Sequence, residues 1–220
     1  KKLEIKNLYF SFKNKEIFNN LSFIIEKNKI YGIKGESGTG KTTLLNILIG
    51  LYDAKSEILF NDEKITHPKQ IQNQMCYVPQ NVYLYDDSIL NNIVLGDEVN
   101  NKIIKKIEDI LKKLKLDELI NSLPKGINTL VGENGTKLSG GQIQRIGLAR
   151  AMYHKKEIIF LDEFTSSLDD ETEREILSFL KDLNKNLTIV IVTHRQEPLK
   201  ICDEIFEITN KRIKKVKLEN

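Results

Sequence analysis

The chain has 220 residues, of which 40% are hydrophobic and 30% charged, and its formal net charge is +3. This balance is typical of a folded globular protein large enough for one domain or for two small lobes that share a core. The small net charge gives no support to a nucleic-acid or membrane-surface partner, and no apolar run approaches the roughly 20 residues that span a bilayer.

The two cysteines, Cys76 and Cys202, lie far apart in the sequence and form no Cys-x-x-Cys motif. We therefore expect reduced thiols rather than a disulfide framework or a zinc site. The chain shows no signal-peptide pattern and begins with Lys1 rather than methionine. From this we expect a piece cut from a longer chain.

Strand patterns fill the first part of the chain, up to a glycine-rich loop. Alternating apolar and polar residues predict a half-buried strand over Leu3–Phe12, and KNKEIFNNLSFIIE predicts two more short strands around a turn. KIYGIKG predicts a buried strand that leads into the loop, and Thr42–Tyr52 has the apolar spacing of a helix. EILFNDEKI then predicts a strand with a turn at Asn61-Asp62.

The pattern changes to helices between about residues 86 and 152. IIKKIEDILKKLKLDELI has apolar residues at helical spacing, and Pro124 and Gly126 end that pattern. GGQIQRIGLARAMY predicts a second helix. We therefore predict a mostly helical lobe over residues 86–152, inserted into a core formed by residues 1–85 and 153–220.

Strand–helix alternation resumes after the helical lobe. EIIFLDE and LTIVIVTH predict buried strands, ETEREILSFLKDLN predicts a helix between them, and EIFEIT and RIKKVKL predict two final strands. Repeated strand–helix units favour a mainly parallel sheet with helices on its faces. The predicted fold class is therefore α/β.

A phosphate-binding loop pattern, GESGTGKT, occupies Gly35–Thr42. Its glycines let backbone N–H groups turn toward one point, and the helix that follows adds the partial positive charge of its N-terminus. Lys41 would bring a full charge to the β- and γ-phosphates, and the Thr42 hydroxyl would reach Mg²⁺. The candidate nucleotide-binding residues of this segment are Gly35, Glu36, Ser37, Gly38, Thr39, Gly40, Lys41, Thr42 and Thr43.

Two acidic residues end the buried strand IIFLDE at Ile158–Glu163. Ligands bind at the carboxyl ends of strands in open α/β sheets, so Asp162 is in a position to hold Mg²⁺ through water. Glu163 is adjacent and could orient or deprotonate an attacking water. The sequence therefore predicts a metal-binding and a catalytic carboxylate side by side.

The segment LSGGQ, at Leu138–Gln142, predicts a second anion site at a helix start. Ser139 is a good N-cap residue, and Gly140 and Gly141 expose backbone N–H groups. A second phosphate site on a separate lobe is explained if two copies of the chain meet head to tail. Ser139, Gly140, Gly141 and Gln142 of one copy would then close on the γ-phosphate held by the other copy's loop.

In this order, GESGTGKT, LSGGQ and IIFLDE resemble the nucleotide-binding domain of ABC transporters, and the resemblance covers essentially the whole chain. It implies a P-loop ATPase with a RecA-like core, an N-terminal antiparallel β lobe and the inserted helical lobe. It also implies that two copies sandwich two ATP–Mg²⁺ and drive membrane segments from the cytoplasmic face of a membrane.

The resemblance assigns further single residues. Gln80, after YVP, matches the glutamine that contacts Mg²⁺ and water and senses the membrane domain, and His194 matches the switch histidine that contacts the γ-phosphate. Asp169 in SSLD matches the loop that touches the partner copy. Phe12 in FSF matches the aromatic ring that stacks on adenine, and Ile17 could pad the same base. A plain packing role is the alternative for both.

Three segments resemble exporter-type domains: YVPQNVYLYDDSILNNI, TLVGENG and the THR at Thr193–Arg195. They imply that the coupling helices of an exporter's membrane domain are a partner. Within exporters the first segment is most similar to bacterial lipid-linked oligosaccharide flippases, with lipid and peptide exporters nearly as close. The sequence departs from the family pattern at Ile143, Phe164 and Ser167. These changes remove no group that touches phosphate, so hydrolysis is still expected.

Two other functions stay open on the sequence. A soluble ABC ATPase that acts on ribosomes or DNA usually carries two such domains or long coiled-coil insertions, and neither is present in this sequence. A non-catalytic nucleotide-binding regulatory module would have a degenerate site, whereas Lys41, Asp162, Glu163 and His194 are all present. The sequence thus favours an exporter's motor domain and leaves the transported substrate open.

Overall fold

The computed structural model describes residues 2–183 and 187–217. Their contacts divide the chain into two compact units. The first comprises the described residues within 1–77, 156–163 and 180–220, and the second comprises residues 78–155 and 164–179. In this described part, none of the helices combines the length and the apolar character needed to cross a membrane.

The described residues form ten strands and seven α-helices. The strands are β1 (Lys2–Phe12), β2 (Lys15–Glu26), β3 (Ile30–Lys34), β4 (Lys55–Phe60), β5 (Glu63–Ile65), β6 (Met75–Val78), β7 (Ile158–Asp162), β8 (Thr188–Val192), β9 (Glu204–Thr209) and β10 (Arg212–Val216). The helices are α1 (Lys41–Leu48), α2 (Ile89–Val94), α3 (Asn101–Lys113), α4 (Asp117–Ser122), α5 (Gly140–His154), α6 (Asp170–Leu183) and α7 (Gln196–Leu199). Short 3₁₀ helices occupy Pro68–Gln74, Gly126–Asn128 and Glu133–Gly135.

The strands form two sheets. A four-stranded sheet has the order β2-β1-β4-β5 and is antiparallel throughout. A six-stranded sheet has the order β10-β9-β3-β8-β7-β6, in which β3 is parallel to both β8 and β9, and β7 is parallel to β8. The predicted α/β fold, with an antiparallel N-terminal sheet and a mainly parallel core sheet, is confirmed.

Apolar packing in the first unit holds in place the helix that follows the glycine-rich loop. All five residues of β7 and all five of β8 are buried, as expected for parallel strands covered on both faces. One hydrophobic cluster joins Leu44 and Leu48 of α1 to Phe160 of β7 and Phe18 of β2. Each such side chain contributes about 1.5–3 kcal/mol when fully buried. The start of α1, and with it the loop, is therefore held firmly beside the ends of the central strands.

The second unit is mostly helical, and α2 and α5 are tied together by a buried polar group as well as by apolar packing. Asn92 of α2 is fully buried, and its side-chain amide donates to the Ser88 carbonyl at 3.0 Å while its oxygen accepts from the Tyr85 N–H at 2.9 Å. Arg150 of α5 donates to the Asn92 carbonyl at 2.8 Å. These bonds fix the segment after Gln80 against α5.

The prediction of two short strands in KNKEIFNNLSFIIE is wrong. β2 is one strand, and it pairs with β1 on both sides of Asn20, through Phe18 with Phe10 and Leu21 with Leu8. Asn20 has a φ of 56°, which asparagine tolerates better than most residues. This conformation absorbs one irregular step of the ladder as a bulge instead of reversing the chain.

Two predicted helices are shorter than the apolar pattern suggested. The first of them ends at Leu48, and Gly50 with a φ of 78° terminates it before Tyr52. The helix predicted before Pro124 is interrupted at Lys115, with a φ of 55°. Leu114 and Leu116 are both fully buried, and residues two apart do not share a helix face, so the break lets both reach the core. The last residues of two other predicted elements, Asn184 and Leu218, lie outside the described residues.

Candidate functional site

The glycine-rich loop joins β3 to α1 by a tightly packed backbone. Gly40, just before α1, has a φ of 99°, and a Cβ there would lie 2.8 Å from Cγ2 of Ile17. A Cβ on Gly35 would lie 2.8 Å from the carbonyl oxygen of Ile208. Both positions therefore require glycine for steric reasons, and the same packing places Ile17 against the loop.

Lys41 lies at the first position of α1 with its ammonium turned back over the loop. The group donates to the carbonyl oxygens of Gly35 at 2.8 Å and Glu36 at 2.9 Å, and the residue is only 7% exposed. Both acceptors are neutral, so its positive charge remains available to an anion. Together with the N-terminus of α1, this arrangement suits a phosphate group.

Asp162 ends β7 as a buried carboxylate with two hydroxyl donors. Thr42 Oγ1 donates to its Oδ2 at 2.8 Å, and the Tyr77 hydroxyl donates to the same oxygen at 3.2 Å. The residue is 2% exposed, and this burial raises the pKa of the carboxyl, whereas the two hydrogen bonds act in the opposite direction. The donors are neutral, so the charge of the ionised carboxylate is only partly compensated.

These oxygens match what a hard divalent cation requires. Mg²⁺ prefers oxygen ligands and is commonly held by one or two carboxylates, directly or through water, together with substrate phosphates. The hydroxyl of Thr42 and the carboxylate of Asp162 lie 2.8 Å apart, and Thr42 directly follows Lys41 at the start of α1. The donor set therefore fits Mg²⁺ accompanied by an anionic ligand.

Glu163 and His194 form a pair at the ends of two neighbouring parallel strands. Glu163 follows β7, its N–H donates to the Val192 carbonyl at 2.8 Å, and its φ is 45°. His194 follows β8, and its Nδ1 lies 3.0 Å from Glu163 Oε1. A left-handed conformation costs a non-glycine residue about 1–2 kcal/mol. This turn brings the carboxylate of Glu163, the residue after Asp162, to the imidazole of His194.

Phe12, at the end of β1, is 51% exposed. The centroid of its ring lies 6.2 Å from that of Tyr52 in a tilted arrangement. Tyr52 in turn stacks on Phe10, with 5.7 Å between the ring centroids. An aromatic ring that is half exposed and braced by a second one offers a free face to a planar ligand.

The LSGGQ segment starts α5, as predicted, and forms a capping box. Ser139 Oγ accepts from the Gln142 N–H at 3.3 Å, and Gln142 Oε1 accepts from the Ser139 N–H at 2.8 Å. Ser139 and Gly140 are exposed, whereas Gly141 is buried, and a Cβ there would lie 2.8 Å from the Ser167 carbonyl oxygen. Gly141 thus has a packing reason to be glycine, and the exposed start of the helix is formed by Ser139 and Gly140.

Gln144, one turn into α5, connects two other segments of the second unit. It is 5% exposed, and its amide donates to the Gln80 carbonyl at 3.3 Å and to Ser166 Oγ at 3.0 Å. Its oxygen accepts from the Ser167 N–H at 3.2 Å. Asp169, which follows, caps α6 by accepting from the Thr172 N–H at 2.9 Å, and this bond lowers the pKa of the Asp169 carboxyl.

The sequence-predicted residues therefore fall into two groups. The first unit holds the loop residues, Thr42, Asp162, Glu163 and His194, and it also holds Ile17 and Phe12. The second unit holds Gln80, LSGGQ and Asp169. Sequence reasoning missed Tyr77 as a partner of Asp162 and Gln144 as a bridge, because no local pattern marks a contact between distant segments.

Comparison with known proteins gives concordant results. Residues 18–166 match the family model described as ABC transporter. The putative export ATP-binding/permease protein of Rickettsia bellii is 36% identical over 94% of this chain and 36% of its own length. The ATP-dependent lipid A-core flippase of Pseudoalteromonas translucida is 39% identical over 94% of this chain and 37% of its own length.

A solved structure has a closely similar fold. It is described as a bacterial Atm1-family ABC exporter with ATP bound, and it matches this chain with a TM-score of 0.89 and 31% identity. The match covers 97% of this chain and 38% of that one. The chain thus spans little more than a third of the length of the relatives that it matches.

Proposed function

The chain belongs to the ABC transporter family, and on that premise we propose that it binds and hydrolyses ATP as the motor domain of an exporter. The predicted resemblance to exporter-type domains is confirmed by the named relatives and the solved structure. One observation supports the catalytic part of the proposal. The Thr42 hydroxyl, which follows Lys41 in the chain, donates a hydrogen bond to Asp162, and the adjacent Glu163 pairs with His194. A regulatory module with a degenerate site would not need this set.

The loop would hold the phosphates of ATP. Lys41 would place its charge near the β- and γ-phosphates, and the N–H groups between Gly35 and Thr43 would donate to their oxygens. Phe12 would stack on adenine, with Ile17 packed between the base and the loop. Because Ile17 already lies against Gly40, a base at this point would extend an existing apolar contact.

Thr42 and Asp162 would hold Mg²⁺, and the family resemblance adds Gln80 to this set. When bound, the cation would neutralise charge on the β- and γ-phosphate oxygens. Glu163 would accept a hydrogen bond from the attacking water and take its proton, and His194 would hold Glu163 in place and reach the γ-phosphate. The 3.0 Å separation between Glu163 Oε1 and His194 Nδ1 supports this division of roles.

The second half of each site would come from a second copy of the chain. Ser139, Gly140, Gly141 and Gln142 of one copy would close on ATP held by the other, with Asp169 near the contact between the copies. Exposed Ser139 and Gly140 at a helix N-terminus support this arrangement. Each copy would bind the coupling helices of a membrane domain at the cytoplasmic face, with residues 86–152 as the helical lobe and residues 1–85 and 153–220 as the core.

The transported substrate is proposed only as a class. One relative is named as a lipid A-core flippase and another as a putative exporter. A lipid-linked substrate is therefore the first to test, and the narrower assignment to lipid-linked oligosaccharide stays a prediction. A soluble machine acting on ribosomes or DNA fits the exporter relatives less well.

Replacing Lys41 by alanine should weaken binding of ATP–Mg²⁺ about 10- to 100-fold and remove turnover, because charge-assisted hydrogen bonds contribute about 1.5–3 kcal/mol. Equilibrium binding of a fluorescent ATP analogue and release of phosphate would measure this. Lys34→Ala is the matched control. It removes a lysine at the end of β3 whose Nζ lies 3.7 Å from Glu207 Oε1, and it should retain both nucleotide binding and turnover. A wild-type chain without ATP hydrolysis would contradict the proposed function.

Replacing Phe12 by alanine should weaken ATP and ADP binding alike, by about 1–3 kcal/mol, because the ring would stack on the adenine that both nucleotides share. Phe12→Tyr should be tolerated. Tyr9→Ala removes another exposed aromatic ring from the same strand, 39% exposed, and controls for the loss of strand packing. Unchanged affinity in a Phe12→Ala protein of normal thermal stability would show that adenine is held elsewhere.

A further inference from the structure

We propose that Tyr77 is a positioning residue for Asp162, and that its hydroxyl tunes the affinity of the site for the divalent cation that accompanies the nucleotide. The inference rests on the proposed function, because it concerns a cation held by Thr42 and Asp162. It adds a residue to which no motif in the sequence assigns a role.

The fold places Tyr77 next to Asp162 through the order of the strands. β6, which carries Tyr77, neighbours β7, which ends in Asp162. The ring of Tyr77 packs against the apolar cluster of the first unit, and its hydroxyl lies 3.2 Å from Asp162 Oδ2. An ionised carboxylate only accepts hydrogen bonds, so the tyrosine is the donor.

Both hydroxyl groups act on one oxygen of the carboxylate. Thr42 Oγ1 donates to Oδ2 at 2.8 Å, and among the described residues the side-chain hydrogen bonds to this carboxylate fall on Oδ2. Oδ1 would thereby remain available to accept a hydrogen bond from a water bound to the cation. Two donors on one oxygen also oppose rotation of the carboxylate, which would exchange the two oxygens.

Of the two donors, Tyr77 is the one whose hydroxyl would keep its hydrogen bond to Asp162 undivided when the cation binds. The Thr42 hydroxyl would have to serve the cation and Asp162 at the same time, whereas the Tyr77 hydroxyl has only the carboxylate to hold in this arrangement. Its ring is fixed by packing, so little side-chain entropy is lost in making the bond. Partners that orient a metal-binding carboxylate typically change metal affinity, and a single net hydrogen bond of this kind corresponds to about 3- to 10-fold.

The test uses Tyr77→Phe, which keeps the ring and its packing and removes only the hydroxyl. Mn²⁺ serves as the probe and is titrated, by electron paramagnetic resonance, into the chain saturated with a non-hydrolysable ATP analogue. Nucleotide affinity in the presence of EDTA and the thermal midpoint are measured alongside. Tyr153→Phe is the matched control, because it also removes a tyrosine hydroxyl that donates to an aspartate, Asp97, at 2.7 Å.

We expect the Mn²⁺ dissociation constant of Tyr77→Phe to rise about 3- to 10-fold, with metal-free nucleotide affinity and thermal midpoint unchanged and with Tyr153→Phe behaving as the wild type. An unchanged Mn²⁺ dissociation constant would overturn the inference. Equal losses of metal-free nucleotide affinity and thermal stability would overturn it too, because they would indicate a packing role. A wild-type chain that binds neither Mn²⁺ nor nucleotide would instead contradict the proposed function.

Discussion

Replacing Glu163 by glutamine should lower ATP turnover by at least about 10²-fold, the usual scale for removing a general base. Glutamine keeps the length of the side chain, and its Oε1 can still accept from Nδ1 of His194, which lies 3.0 Å away in the native pair. The change therefore removes the basicity and leaves the geometry. Phosphate release under saturating ATP–Mg²⁺ would measure the effect.

ATP binding should survive the same substitution, because the loop and the Thr42–Asp162 contact are untouched. The unhydrolysed nucleotide should then hold two copies together, which light scattering in the presence of ATP–Mg²⁺ would detect. Glu157→Gln is the matched control, since it neutralises a glutamate at the other end of β7 that pairs with Lys27 at 3.6 Å, and it should keep full turnover. Wild-type turnover in Glu163→Gln would remove Glu163 from the catalytic role.

Replacing Ser139 by arginine should abolish turnover while ATP affinity of the single chain stays nearly intact. Ser139 and the next residue are exposed at the start of α5, so a long charged side chain there would block the approach of a second copy. The loop that we propose holds ATP in the same chain is formed by other residues. Separate measurements of binding at low chain concentration and turnover at high concentration would reveal this split.

The substitution also removes a helix cap, which needs its own control. Loss of an N-cap costs about 1 kcal/mol, and here Ser139 and Gln142 cap each other. Ser88→Ala removes a comparable cap, since Ser88 Oγ accepts from the Asn91 N–H at 3.0 Å at the start of α2. Turnover should be lost in Ser139→Arg and kept in Ser88→Ala. Equal effects of the two would assign the loss to helix stability.

Motifs with fixed local geometry were predictable from the sequence. The strand, loop and helix around Lys41 follow from glycine positions and apolar runs, and Asp162 lies where a buried strand must end. Thr42 and Asp162 are 120 positions apart, and both were assigned to one Mg²⁺ from their chemistry, without a prediction of the hydrogen bond between them. Chemistry, in this case, supplied the long-range information that the apolar pattern lacks.

Features that depend on tertiary packing were not predictable. Tyr77 and Asp162 are 85 positions apart, and nothing in the local sequence YVP indicates that the Tyr77 hydroxyl donates to a distant carboxylate. KNKEIFNNLSFIIE was predicted to contain a turn, but β2 pairs with β1 on both sides of Asn20, so the irregularity there is a bulge. Lys115 interrupts an otherwise helical pattern because two buried leucines flank it. The positive φ of Glu163 likewise arises from its hydrogen bond to Val192 and not from its side-chain type.

In the proposed function, each complete site is shared by two copies of this chain. Turnover per chain, measured at saturating ATP–Mg²⁺ over a wide range of chain concentrations, tests whether the site is shared. We predict that turnover per chain rises with concentration and reaches a plateau once the copies are paired, because in the proposed arrangement a single chain would lack the Ser139 side of its own site. Turnover per chain that stays constant from the lowest to the highest concentration would contradict a site shared by two copies.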